Sequence, residues 1–249
     1  MAILKEYHRP ESVDAALALL ARDNVTLVPL AGGAHLVGAL ETRALTAVDG
    51  VVDLRDLPLR AIRADLFNGR PYLSIGALAT LTDVCEYAGT AALAGGLLVR
   101  AAHAEGPVNL RNQATVGGVI VAAESDSEFY AALLALGAHV VTASLAGEAV
   151  TPLADLGEIR GLVTAVLLPA GIERGANARV ARTPADRPIV AALAVRDGAA
   201  TRMALCGVAA RPVLEGAPLD PPDDYKGSAT YRRSMAALLK QRVLTELAG

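Results

Sequence analysis

The stretch Gly106-Pro107-Val108-Asn109-Leu110-Arg111-Asn112-Gln113-Ala114-Thr115-Val116-Gly117-Gly118 decides how this chain is read. Gly106-Pro107 stops the helical pattern of residues 91–104, because proline lacks an N–H and its ring blocks helix continuation. The stretch ends in a glycine pair. An earlier pair lies in Ala31-Gly32-Gly33-Ala34-His35-Leu36, directly after a short apolar strand at residues 26–31. Glycine accepts positive φ and lets a ligand approach the main chain closely. Successive free N–H groups in such turns form a concavity that suits phosphate oxygens. Two turns of this kind can hold a diphosphate from both sides without a lysine. Taken singly, a Gly-Gly pair is more often only a tight turn. Neither pair matches GxGxxG or GxxxxGK[ST], so the dinucleotide-fingerprint and P-loop readings fail on spacing.

Working outward, Ser12 is placed to cap a helix carrying Val13, Ala16, Leu17 and Leu20 on one face. Residues 51–54 read as a short strand. Residues 61–64 and 72–75 read as a hairpin turning at Asn68-Gly69. Thr80 and Asp83 have capping-box spacing. Residues 115–118 read as a second glycine turn, followed by a helix over 128–136 that ends at Gly137. Residues 140–144 and 148–151 read as a hairpin turning at Gly147. Beyond residue 160 short strands dominate, at 162–168, 178–182, 189–195 and 202–208. A last helix starts near Ser228, with Tyr231, Met235, Leu238, Leu239 and Val243 on its apolar face. The expected fold class is α+β. Residues 1–160 form two α/β subdomains and residues 161–249 a small sheet-and-helix domain.

Composition narrows the function. The chain has 249 residues, 53% hydrophobic and 20% charged, enough to bury a substantial core. Six Tyr, two Phe and no Trp leave the core to Ala, Leu and Val, and offer no base-stacking platform. A net charge of −3 without a basic stripe argues against a nucleic-acid partner. The N-terminus has no apolar signal region, and the apolar stretches fall short of a membrane span, so a cytoplasmic protein without a transmembrane segment is expected. Cys85 and Cys206 have no metal-type spacing, and His8, His103 and His139 are scattered.

Residues 106–118 resemble the Gly-x-x-x-[Ile/Leu]-Arg-Asn-x-[Ala/Gly]-Thr-[Ile/Val]-Gly-Gly signature of the FAD-binding medium subunits of molybdenum hydroxylases, the carbon monoxide dehydrogenase and xanthine dehydrogenase family. Ala31-Gly32-Gly33 looks like that family's first flavin loop. Ser74-Ile75-Gly76-Ala77-Leu78-Ala79-Thr80 is similar to its Ile-Gly-Ala-x-x-Thr segment, and Cys206-Gly207-Val208-Ala209-Ala210-Arg211-Pro212 to its Gly-Val-x-x-x-Pro segment. The resemblance runs in order along nearly the whole chain.

It implies the two-subdomain FAD-binding fold of the vanillyl-alcohol-oxidase type with a small C-terminal domain, and an oxidoreductase subunit that relays electrons. FAD would be the cofactor here. The molybdenum cofactor would sit in a large partner subunit and two [2Fe-2S] clusters in a small one, the whole assembling as a dimer of heterotrimers. Residue by residue, Leu30, Ala31, Gly32, Gly33, Ala34 and His35 would cradle the diphosphate through backbone N–H groups. Thr115, Gly117 and Gly118 would close the second side, and Glu128 would accept hydrogen bonds from flavin-side hydroxyls. The residues alone leave alternatives open. Glu128 equally suits a helix N-terminus, the His35 side chain reads as a solvated loop histidine, and Arg111 as a bridge between loops. Val119 stands where the family has Asn, and Glu124-Ser125-Asp126 places carboxylates near the expected diphosphate. A flavin-free structural subunit of the same assembly is the alternative.

Overall fold

The computed structural model describes residues 4–248 and contains three sheets. The first is small and parallel, in the order β1-β3-β2. It is built from β1 (Glu6–His8), α1 (Val13–Leu20), β2 (Leu27–Leu30), α2 (Leu36–Glu41) and β3 (Gly50–Asp53). Ser12 caps α1, its hydroxyl accepting from the Ala15 N–H. Ala16 and Leu17 of the helix bury against Leu27 and Val52, and Leu54, Leu57, Leu78, Ala143 and Leu162 join this cluster. The first subdomain is thereby welded to the second by apolar contact.

The second sheet is antiparallel, in the order β4-β5-β8-β6-β7. Its first hairpin joins β4 (Ile62–Phe67) to β5 (Arg70–Gly76) through Asn68 and Gly69, whose φ values of 51° and 74° make the primed turn that matches strand twist. Next come α3 (Leu81–Glu86), with a complete Thr80–Asp83 capping box, α4 (Ala88–Ala92) and α5 (Leu97–Ala104). The single helix expected over 91–104 is broken. Ala94, Gly95 and Gly96 all take positive φ, and a short 3-10 segment separates α4 from α5. The apolar period runs through the break, so the hydrophobic pattern hid it.

The short helix α6 (Val108–Arg111) leads to α7 (Val116–Ala122) and α8 (Glu128–Leu136). The β6 (His139–Ser144) and β7 (Gly147–Pro152) hairpin follows, and then β8 (Leu162–Pro169). Strand β8 pairs with both β5 and β6, in the middle of this sheet. The division expected at residue 160 falls before β8, whereas the pairing ties β8 to the residues preceding it. We place the division after Pro169.

The third sheet has the order β12-β11-β10-β9, from β9 (Arg174–Val180), β10 (Val190–Asp197), β11 (Ala200–Cys206) and β12 (Val213–Leu214), and is backed by α9 (Ala229–Ala248). The run Val190–Val195 is buried without interruption because both faces of β10 are covered. Ala191, Leu193 and Val195 join the cluster that contains α8, while Ala192 and Ala194 join the one containing α9. Every residue of α8 is buried, so this helix is the shared core of the second and third sheets. On α9 the buried stripe is Arg232, Ala236, Leu239, Val243 and Leu247, and the expected Tyr231 and Leu238 face outward. The difference comes from Arg232. Its guanidinium donates to the carbonyls of Ile189 and Gly207 and to Asp224, taking a core position that a count of apolar residues assigns to its neighbour.

Among the described residues, no helix is long and apolar enough to cross a membrane.

Candidate functional site: two glycine pairs and an acidic loop

The first glycine pair lies between the end of β2 and the start of α2. Gly33 has φ 75°, a conformation that disfavours any side chain. The turn at 31–35 carries the chain from strand to helix. Among the described residues, the N–H groups of Gly32, Gly33, Ala34 and His35 have no hydrogen-bond acceptor in the chain. Four successive unpaired amides at a turn make an anion-binding concavity. Leu30 and Ala31 lead into it, the Leu30 carbonyl being taken by the Leu54 N–H.

The second pair behaves differently. Gly117 and Gly118 are not a turn; they form the first turn of α7, capped by Thr115, whose hydroxyl oxygen accepts from the Gly118 N–H at 3.1 Å. The Gly117 N–H donates to the Ala77 carbonyl at 2.8 Å, and the Val116 N–H to the Ala79 carbonyl at 2.9 Å. The expected phosphate donors at Gly117 and Gly118 are therefore already engaged. What this side offers a ligand is the Thr115 hydroxyl proton and a surface without side chains. Gly117 is required by packing, since a Cβ there would meet Ala77 Cβ at 2.9 Å and Ala77 O at 3.0 Å.

The two segments touch. A Cβ on Gly32 would fall 1.5 Å from the Gln113 carbonyl oxygen and 3.4 Å from Thr115 Cγ2. The glycine turn and the approach to α7 are thus packed backbone to backbone, as a two-sided cradle requires.

A third element joins them: the loop from Ala123 to Ser127 and the start of α8. His35 Nδ1 lies 3.3 Å from Glu124 Oε1, with the imidazole more than half exposed. The other oxygen, Glu124 Oε2, is 2.5 Å from Arg187 Nη1. Arg187, from the β9–β10 connection, also contacts Asp126 at 3.0 Å and the buried carboxylate of Glu105. Lys226 adds a contact to Asp126 at 2.7 Å. Glu105 in turn accepts from Ser127 Oγ at 2.6 Å and the Phe129 N–H at 2.8 Å, so it caps α8 from outside the helix. Three carboxylates around it hold the Arg187 guanidinium firmly in its charged form.

Glu128 is 1% exposed. Arg179 Nε reaches its Oε1 at 3.0 Å, but off the hydrogen-bond direction, so neither carboxylate oxygen accepts an aligned hydrogen bond. Burial pushes its carboxyl up to about 7, against the pull of Arg179 and with the repulsion of Glu105. Two buried acceptors without donors call for a partner. Hydroxyl groups of a ligand are a chemically suitable one. Arg111 donates to the Gly106 carbonyl at 2.7 Å, a local brace of its own loop.

The structure packs Gly32 against Gln113 and Thr115, and the sequence reading missed Glu105, Arg179 and Arg187. Arg187 meets its carboxylates across 61 to 82 residues of chain. No spacing or periodicity announces such a contact.

Known proteins resemble this chain over most of its length. Residues 3–170 match the family described as the FAD binding domain in molybdopterin dehydrogenase. The chain is 30% identical to the uncharacterized protein YgfM of Escherichia coli K12, over 95% of this chain and 94% of that protein. It is 27% identical to the glyceraldehyde dehydrogenase medium chain of Sulfolobus acidocaldarius, over 97% and 98% of the two chains. Among solved structures, a chain of CO dehydrogenase from Oligotropha carboxidovorans superposes with a TM-score of 0.88 at 24% identity, covering 99% of this chain and 98% of that one. A chain of quinoline 2-oxidoreductase from Pseudomonas putida 86 does so with a TM-score of 0.87 at 24% identity, covering 100% and 98%. The fold is thus one shared with chains of CO dehydrogenase and quinoline 2-oxidoreductase. The chain belongs to the FAD-binding family of molybdopterin dehydrogenases.

Proposed function

We propose that this chain is the electron-relaying FAD subunit of a molybdenum-dependent hydroxylase or dehydrogenase. It would work beside a large subunit holding the molybdenum cofactor and a small subunit holding two [2Fe-2S] clusters, as a dimer of such heterotrimers. The observation that carries this reading is the row of unpaired amides at Gly32–His35, packed against Gln113 and Thr115. Bound FAD supplies reversible electron acceptance and release.

The chain's own residues have the simpler tasks of binding and orienting. Leu30 and Ala31 deliver the turn, and the amides of Gly32, Gly33, Ala34 and His35 meet diphosphate oxygens without a lysine counterion. Thr115 adds a hydroxyl donor, and Gly117 and Gly118 leave room beside it. Glu128 offers two buried oxygens to ligand hydroxyls. Donors fixed before binding lose little entropy when the ligand arrives, which favours retention.

The test is the flavin content of the complex that copurifies with this chain. One FAD per chain is the expected result. An intact complex without flavin would instead mark a structural subunit and overturn the relay.

A further inference from the structure

The acidic loop beside the cradle poses an electrostatic problem. Four carboxylates, Glu105, Glu124, Asp126 and Glu128, gather around Arg187 and Arg179 beside the loop that leads into α8. One of them, Glu124, is in direct contact with the turn that carries the free amides, through His35. An uncompensated anion at that place would compete with phosphate for the same positive concavity.

We infer that Arg187 is a positioning residue for the cofactor: it holds one oxygen of the Glu124 carboxylate beside the glycine turn and offsets the charge of the acidic loop so that a diphosphate can bind. This rests on the flavin reading above. The geometry divides Glu124 between two partners, Oε1 toward His35 at 3.3 Å and Oε2 toward Arg187 at 2.5 Å. The same guanidinium nitrogen holds Asp126 at 3.0 Å, and the other terminal nitrogen holds Glu105. One side chain from the C-terminal domain therefore contacts three carboxylates in the FAD-binding domain. A planar guanidinium suits this, because its several donors are fixed in a fork that an ammonium lacks.

A purely mechanical clamp between domains would need the same contacts, so the test must separate charge from scaffolding. Glu105 keeps two other donors, Ser127 Oγ and the Phe129 N–H, when Arg187 is removed, so the start of α8 remains anchored. In the full chain, copurified with its partners and stripped of flavin, Arg187→Met is expected to weaken FAD binding about tenfold or more. Equilibrium dialysis against FAD reads the change. The double variant Glu124→Gln/Arg187→Met is expected to recover to within about threefold of wild type, because the carboxylate that touches the glycine turn through His35 then carries no charge. The deficit of the single variant is expected to shrink as salt is raised.

An Arg187→Met protein that binds FAD like wild type would overturn the inference and leave the flavin reading standing. A double variant as weak as the single one would make Arg187 a structural clamp only. A wild-type complex that binds no FAD would remove both. Should Arg187→Met fail to fold, Glu124→Gln alone decides: binding at least as tight as wild type supports the inference, and weaker binding sinks it.

Discussion

Gly32-Gly33 and Gly117-Gly118 are the same dipeptide put to different physical uses. The first pair sits in an irregular turn, uses positive φ at Gly33, and leaves its amides unpaired. The second pair sits in a helix, keeps negative φ, and spends its amides on Ala77 and Thr115. One supplies donors; the other supplies close packing and an empty surface. The lesson is that a glycine pair marks absence of a side chain and says nothing by itself about which backbone groups stay free. Substituting single glycines tests that division directly.

The largest effect is expected at Gly32. Its missing Cβ is the space taken by the Gln113 carbonyl, at 1.5 Å, and a backbone oxygen cannot swing aside. Gly32→Ala must push the two halves of the cradle apart, at a cost of about 3 kcal/mol. Urea unfolding of the flavin-stripped protein and its FAD content are both expected to fall. If Gly32→Ala unfolded at the wild-type midpoint, the backbone contact between the two segments would be wrong.

Glu128 comes next and sharpens the comparison from the acidic side. Its carboxyl is raised to about 7 by burial, against an ordinary value of 4.5. Between those pH values the native protein holds a proton that the unfolded chain has released. The stability from this site is therefore complete below about pH 4.5 and is lost as pH rises through 7. A shift of this size corresponds to roughly 3 kcal/mol. Unfolding midpoints at pH 5 and pH 8 should differ by less in Glu128→Gln than in wild type. An unchanged difference would mean that Glu128 is not the buried titrating group. The same variant keeps one acceptor oxygen of the two, so FAD retention is expected to drop without vanishing.

How much of this was readable beforehand follows from the range of each interaction. The Asn68-Gly69 hairpin, the Thr80–Asp83 capping box and the Gly137 terminus of α8 are set by neighbours a few residues apart, and the sequence carries them openly. The packing of Gly32 against Gln113 agrees with a two-part motif whose halves lie some eighty residues apart, readable only through family resemblance. The break at Ala94–Gly96 was masked because apolar residues continue on both sides of it. Arg232 displaced an apolar stripe, and β8 pairs across the division drawn at residue 160. In both cases the decisive partner is distant: Ile189 and Gly207 for the arginine, β5 and β6 for the strand. The engagement of the Gly117 amide with Ala77 belongs to the same class.

Gly117→Ala should be intermediate in effect. The added methyl meets Ala77 Cβ at 2.9 Å and Ala77 O at 3.0 Å, so α7 must shift by a few tenths of an ångström. A stability loss of about 1–2 kcal/mol is expected, with a parallel loss of FAD. The two losses should track each other, since the residue acts on the ligand only through the position of α7. A large loss of FAD at unchanged stability would reassign Gly117 to direct ligand contact.

Gly118→Ala should have the smallest effect on the fold, and for that reason it discriminates best. Among the described residues, a Cβ here would meet the Thr115 hydroxyl oxygen at 2.9 Å, a side-chain contact that a small shift relieves. Strain there is offset by the better helix propensity of alanine, so the unfolding midpoint should stay within about 0.5 kcal/mol of wild type. The methyl also crowds the Thr115 hydroxyl, the one donor this side of the cradle still has to give. FAD affinity is accordingly expected to fall while stability does not, which is the reverse of the Gly117 pattern. The fold then tolerates a side chain at this glycine that the ligand does not. Equal affinity in wild type and Gly118→Ala would confine the diphosphate to the amides of Gly32–His35 and leave the second pair a purely structural part of α7.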